Sequence, residues 1–545
     1  MRLSEPPADD LVHTAYARET GDVAILYEGM SLADIAHVVG LMEANVIPPE
    51  AGGELIAALL EMHPAPPLDF ALDPAHGDLY SNREAYLRML TRAVGWLSAG
   101  RARREATTIG YLIAVRTRLL ALAAALGDCV AAALDLAEKH RSTLFPDYTY
   151  LQPAQPTTFG HYVLTFVYPM LRDLDRARAA FGRTNLSPAG SGSVNGSRLP
   201  LDRARLAELL GFDGLVPHTR DAMWQADGPI EIAALITTSI ITLDRLAEDL
   251  QIFSTAEFGL VELADRHTRT SVIMPQKKNP YSLAYVRGVC GESIGNLAAM
   301  AAVGKTPSGQ IDNRIFAYGD IPRALDRATG AVRLMADILR GLAVNADLAA
   351  RRASENFIGA TDLAEVIMLT YGRSIERPYG IDYKTAHDLV GRAVRAALES
   401  GETTLTTDRM RAAAAETRHA ASLQSLTPEI IAEALDPARI VAARTGPGGA
   451  AEAPVAKMIA ECRAALADQV RWRASAQMRI EVAETQLLMT AAMLKAALPP
   501  REEKPAQAAE PPGQGEAKPQ SLEELADELF KDLPRPPNPR RRWRG

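Results

Sequence analysis

Ser271, Lys277, Lys278 and Asn279 fall close together in the run Thr270-Ser271-Val272-Ile273-Met274-Pro275-Gln276-Lys277-Lys278-Asn279-Pro280. A hydroxyl, two ammonium groups and an amide at that spacing can bind a dicarboxylate and offer a base or nucleophile. Pro275 and Pro280 disfavour helix for the residues before them, so the run is expected to be a polar loop between long helical segments. On composition alone, a solvated basic turn is the plainer reading.

Three further stretches could join it. Gly100-Arg101-Ala102-Arg103-Arg104-Glu105 supplies planar guanidinium groups, which donate two parallel hydrogen bonds to a carboxylate. Asp147-Tyr148-Thr149-Tyr150-Leu151-Gln152 carries a hydroxyl, a phenol and an amide. Asn185-Leu186-Ser187-Pro188-Ala189-Gly190-Ser191-Gly192-Ser193 is a glycine-bearing loop that allows close backbone approach. It carries no P-loop and no dinucleotide fingerprint, because no strand pattern precedes it. His76 to Glu84 is a fourth piece, in which Asp78 or Ser81 reads most simply as a helix N-cap.

Together these stretches resemble the fumarase/aspartase superfamily, in its argininosuccinate lyase branch. The run Met274 to Pro280, continuing through Ser282-Leu283 to Val286-Arg287-Gly288, carries the signature loop. Where that family has Gly-Ser-Ser, this chain has Thr270-Ser271-Val272, so only the first serine stands. Where it has Ser-Arg-Asn, Ala102, Arg103 and Arg104 stand, and Arg103 keeps the carboxylate-binding place. Its histidine in Tyr-Thr-His-Leu-Gln is here Tyr150, with Thr149 and Gln152 retained. Asp312 stands where a substrate-holding tyrosine would be, although Asn313-Arg314 line up. These departures point away from arginine as the amine half of the substrate and towards another amine such as an aminopolycarboxylate; the alternatives are a true argininosuccinate lyase with altered binding residues and a catalytically silent scaffold relative.

The resemblance implies β-elimination from an N-succinyl amine, releasing fumarate and needing no cofactor and no metal. It makes Ser271 the candidate general base with Lys277 beside it, and Tyr150, standing where the family has its histidine, is the further catalytic candidate. Arg103, Thr149, Gln152, Met274, Asn279 and Arg101 would bind substrate. An unperturbed phenol titrates near pH 10, so Tyr150 is a poorer buffer acid than histidine, and the acid is Tyr150 or water. His161 is expected to satisfy core contacts rather than replace the missing histidine.

Positioning these residues falls to helices. Of the 545 residues 47% are apolar, 23% charged and 6% aromatic, with alanine and leucine dominating, which favours a mostly helical protein. An all-α, three-domain fold with a central long-helix bundle is expected, assembling through the resemblance into a homotetramer with shared active sites. Two amphipathic helices follow Ser31, split at Ile47-Pro48-Pro49; Thr107 to His140 is a long helix, and Glu231 to Phe258 a buried apolar one. Residues 1–30 carry little pattern. The expected domains are 1–105, 106–350 with the signature loop at 268–282, and 351–470, followed by a helix over 471–498. Residues 499–545 form a Pro- and charge-rich tail expected to be disordered.

The net charge of −8 gives no footprint for a nucleic-acid partner. Cys129, Cys290 and Cys462 lack disulfide or metal spacing, and MRLSEPPADD carries no export pattern, so a soluble cytoplasmic protein is expected. Ile232 to Leu243 is the most apolar window and is too short to span a membrane. Within the tail, Ser521 to Lys531 begins with a capping-box pattern and could dock a protein partner or form only a transient helix.

Overall fold

A computed structural model describes residues 5–372 and 380–496, apart from the Asp312 side chain. The tail 499–545, with its docking stretch 521–531, lies outside the described residues. After short helical turns between Asp9 and Thr20, α1 (Val23–Glu43) and α2 (Pro49–Glu61) form the pair anticipated at Pro48-Pro49. Proline at the first position of α2 needs no amide partner, so it starts that helix without cost. The helix α1 begins within the stretch that carried little pattern, because it is buried nearly all round and has no polar face to advertise it.

α3 (Leu79–Leu90) is capped by Asp78, whose carboxylate accepts from the Ser81 amide at 3.0 Å, as expected of that residue. α4 (Arg103–Lys139) follows, then a hairpin of β1 (Leu144–Thr149) and β2 (Gln152–Thr158). Next come α5 (Phe159–Thr184), α6 (Arg203–Leu209), α7 (Thr219–Trp224) and α8 (Asp227–Phe253). A two-residue ladder, β3 (Arg269–Thr270) with β4 (Lys278–Asn279), precedes α9 (Tyr281–Gly304) and α10 (Asp312–Gly341).

Five of these helices make the central bundle. α5 runs back along α4, and α8 back along α5, with Tyr162 donating to Asp249 at 2.9 Å near one end and Arg183 paired with Glu231 near the other. α9 returns along α8, its Arg287 meeting Glu248 at 3.1 Å. α10 lies parallel to α4, tied by Arg118–Asp326 at 3.0 Å and by Arg340–Asp128. Tyr111 stacks on Tyr318 at 4.2 Å between those two helices. This is the long-helix bundle that the sequence led us to expect.

α4 and α1 are each long and apolar enough to cross a membrane. Most of each is buried inside the fold, which is how a core helix of a water-soluble bundle satisfies the same composition. A second, separate core gathers α11 (Ala360–Tyr371), α12 (Tyr383–Glu399) and the segments up to Leu435. The final helix, α13 (Glu452–Ala496), runs unbroken back onto the main core. The separate helix expected from 471 is therefore its second half.

One buried network fixes the approach to α4. Asp34, inside α1, accepts from Arg83 at 3.0 Å and from Arg101 at 2.6 Å, and Arg101 also donates to the Ala33 carbonyl. All three side chains are buried. Removing one member of a buried charge network strands the others without water. Asp34→Ala should thus cost about 3–5 kcal/mol, read as a lower denaturant midpoint; an unchanged midpoint would show that packing alone holds this corner.

Candidate active site

Arg103 opens α4 with its side chain half exposed, 3.7 Å from Asp78 across the helix–helix junction. Ala102 at the N-cap offers no side-chain acceptor, so the first turn of this 37-residue helix has open amides where a serine would close one. Arg103, Arg104 and Asp78 line a cavity of about 900 Å³ together with Glu19, Arg314 and Tyr318. Burial, then the neighbouring Asp78, raises the Glu19 carboxyl above its ordinary value.

Glu105, two residues on, turns inward. Its carboxylate accepts from the Gly190 amide at 2.9 Å and the Gly192 amide at 2.5 Å, locking the glycine loop to the first turn of α4. Gly192 takes φ +66°, and a Cβ there would sit 2.8 Å from the Gly196 carbonyl oxygen, so glycine is required. Arg203 closes the loop from α6, donating to the Ala189 carbonyl and the Ser191 hydroxyl. Burial raises the Glu105 carboxyl to about 7, despite Arg101 and the two amides pulling the other way. A raised carboxyl binds its proton more tightly when folded. Its stabilising contribution is therefore full below about pH 4.5 and disappears as pH rises through 7. Wild-type stability should drop by about 3 kcal/mol from this group between pH 5 and 8, and Glu105→Gln should flatten that part of the profile. An identical slope in the variant would assign the titration elsewhere.

The expected catalytic residues lie apart from this cavity. Ser271 to Lys277 form the tip between β3 and β4; Pro275, Gln276 and Lys277 of the tip, with Lys278 of β4, line a different depression of about 460 Å³. Ser271 Oγ accepts from the Met274 amide at 3.1 Å. Lys278 is held by Glu262 at 2.9 Å and Asp265 at 2.8 Å, whereas Lys277 has no ion pair among the described residues. Asn279 donates to the Arg269 carbonyl at 2.9 Å, pinning the base of the tip. Val272 and Ile273 are 102% and 83% exposed, so a single chain leaves two large apolar side chains in water.

Thr149, Tyr150, Leu151 and Gln152 occupy a third place, the β1–β2 turn. Tyr150 and Leu151 both take positive φ, +54° and +57°, the conformation a two-residue hairpin turn of this hand needs. Tyr150 is 99% exposed and touches no wall of either cavity. His161 is fully engaged: Nδ1 pairs with the Thr157 hydroxyl and Nε2 with the Gly448 carbonyl, each at 3.0 Å, in line with a structural role. Arg101, expected to bind substrate, is instead buried on Asp34 and closed to a ligand. Its partner lies 67 positions away, so neighbouring sequence could not reveal it.

A family model described as "Lyase" matches residues 28–295. The argininosuccinate lyase of Methanoculleus marisnigri is 34% identical over 464 residues, covering 84% of this chain and 92% of that one. The chain belongs to the argininosuccinate lyase-like branch of the fumarase/aspartase superfamily. The argininosuccinate lyase of Methanosarcina acetivorans is 32% identical, covering 83% of this chain and 89% of its own length. Among solved structures, an EDDS lyase in complex with formate superposes with a TM-score of 0.79 at 27% identity, over 90% of this chain and 97% of that one. The all-α superfamily fold and the fumarate-releasing cleavage of a C–N bond follow from this membership.

Two residues not singled out from the sequence stand here: Glu19 lines the cavity of about 900 Å³, and Glu105 braces the glycine loop. Glu105 stands in a run already singled out, but its glycine-loop partners lie 85 and 87 positions further on. Glu19 carries no local signal. Among the described residues, no group of three or more His, Cys, Asp or Glu side chains is arranged to hold a metal ion.

Proposed function

We propose that this lyase reversibly eliminates fumarate from an N-succinyl amine whose amine is not arginine, and that an aminopolycarboxylate fills that role. One observation carries the reading. The elimination loop keeps Ser271, Lys277 and Asn279, while positions 102, 104 and 150 depart from the argininosuccinate lyase pattern. The likeness to an EDDS lyase supports it.

Ser271 takes the proton from the carbon next to the carboxylate, and the C–N bond then breaks to leave fumarate and the free amine. The donor at Ser271 Oγ favours the oxyanion that a serine base must become. Lys277, Asn279, Arg103 and Thr149 meet the negative charge that develops on the succinyl carboxylate, and Gln152 and Met274 shape the bound substrate. Tyr150 or water supplies the proton that the departing amine takes up, and Ser271 releases the abstracted proton to solvent.

The separate places of Arg103, Tyr150 and Ser271 on one chain support a homotetramer in which each site borrows from several copies. The α9 face offers the surface. Gly288, Gly291 and Gly295 have open space beside them, and Tyr285 and Ile294 are exposed on the same helix. A face of small and apolar residues on a central helix suits close packing against another copy. The three free, buried cysteines fit a reducing compartment.

Addition of an amine to fumarate in deuterated water tests the reaction type. Proton NMR should find one deuteron placed stereospecifically at the carbon next to the new C–N bond. Random or absent labelling would reject general-base elimination. A second reading, argininosuccinate lyase itself, is favoured by the 34% identity to such an enzyme across most of both chains.

A further inference from the structure

We propose that Arg104 and Arg314, stacked on the indole of Trp224, form a second anion subsite for an acidic group on the amine half of the substrate. The inference rests on the elimination reading above and names the residues that select the amine. The Arg314 guanidinium lies 4.8 Å over the Trp224 ring and that of Arg104 5.6 Å from it. Arg314 is buried, with 6% of its surface exposed, and its guanidinium donates to the Thr108 hydroxyl at 3.2 Å. Thr108 in turn donates to the Arg104 carbonyl at 2.7 Å, so both arginines are braced by the first turns of α4.

Neither guanidinium has a carboxylate within ion-pair distance among the described residues, although Arg103 beside them pairs with Asp78. Nη1 of Arg104 is buried without a hydrogen-bond partner. Burial, then repulsion from Arg314 and Arg103, holds the Arg104 guanidinium below its ordinary value; Glu19 and Asp78 offset this only from a distance. Two like charges kept together beside a cavity of about 900 Å³ leave their donors to an anion that enters it. Trp224 holds this arrangement rigid, because its Nε1 donates to the Ser193 carbonyl at 2.9 Å and so fixes the ring to the glycine loop.

The subsite is separate in function from Arg103, which meets the succinyl carboxylate. A substrate whose amine carries a carboxylate gains charge-assisted hydrogen bonds here, and one whose amine is a simple alkyl chain gains none.

The test compares N-(carboxymethyl)aspartate with N-propylaspartate on the full-length protein. Arg104→Asn should lower kcat/KM for the acidic amine about tenfold or more beyond any loss on the alkyl one, mainly through KM. Arg104→Lys should restore part of that selectivity. Equal losses on both substrates would place Arg104 on the succinyl half and overturn the proposal. If neither compound releases fumarate, the reaction reading fails, and the subsite is judged by binding alone. Iminodiacetate should then quench tryptophan fluorescence saturably, with the response absent in Trp224→Phe and about tenfold weaker in Arg104→Asn. A titration without saturation, or one unaffected by either substitution, would reject the subsite.

Discussion

Ser271→Ala should lower kcat for fumarate release by about a thousandfold while changing KM little, because a general base acts on the barrier and not on ground-state binding. Stability should hardly change, since the Ser271 hydroxyl makes one hydrogen bond in an exposed loop and packs nothing. Ser271→Cys, which keeps an acidic hydrogen at a similar place, should recover a small part of the rate with a shifted pH profile. Retention of most of the turnover in Ser271→Ala would move the base elsewhere, and Lys277, the loop cation without an ion pair, would be next.

Mixing two inactive variants should restore activity that neither possesses alone. Arg103 lines one cavity and Ser271 stands at the tip of a loop that lines another. If a site takes Arg103 from one copy and Ser271 from a different copy, an equimolar mixture of Arg103→Ala and Ser271→Ala subunits contains some sites with both residues intact. Random assembly gives half times half, so about a quarter of the wild-type rate should return after joint refolding. Each parent alone should remain about a hundredfold or more below wild type. No recovery, with mixed oligomers shown to form, would mean that each chain closes its own loop onto its own arginine.

Much of the fold was legible. α2, α4 and α8 announce themselves by their apolar pattern and the α1–α2 break by proline punctuation, and the capping of α3 by Asp78 follows from residue chemistry. What stayed hidden depends on distant partners. Arg101 and Arg103 look alike two positions apart, yet one is buried on Asp34 and the other opens onto the cavity. Glu105 reads as an acidic first-turn residue until Gly190 and Gly192 come to meet it. The break expected near 470 disappears because nothing in Leu466 to Trp472 stops a helix, and α13 continues. The site was legible as a set of motifs and not as a place, because the chain carries them on different surfaces.

A fumarate-releasing lyase that has exchanged its arginine half for an acidic amine is distinguished by the ratio of kcat/KM for iminodisuccinate to that for argininosuccinate, both followed by the ultraviolet absorbance of fumarate. The expected ratio is about a hundredfold above one, matching two further charge-assisted hydrogen bonds to the acidic amine. A ratio below one, with rapid turnover of argininosuccinate, would contradict it and make Arg104 and Tyr150 tolerated variations on an arginine-making enzyme.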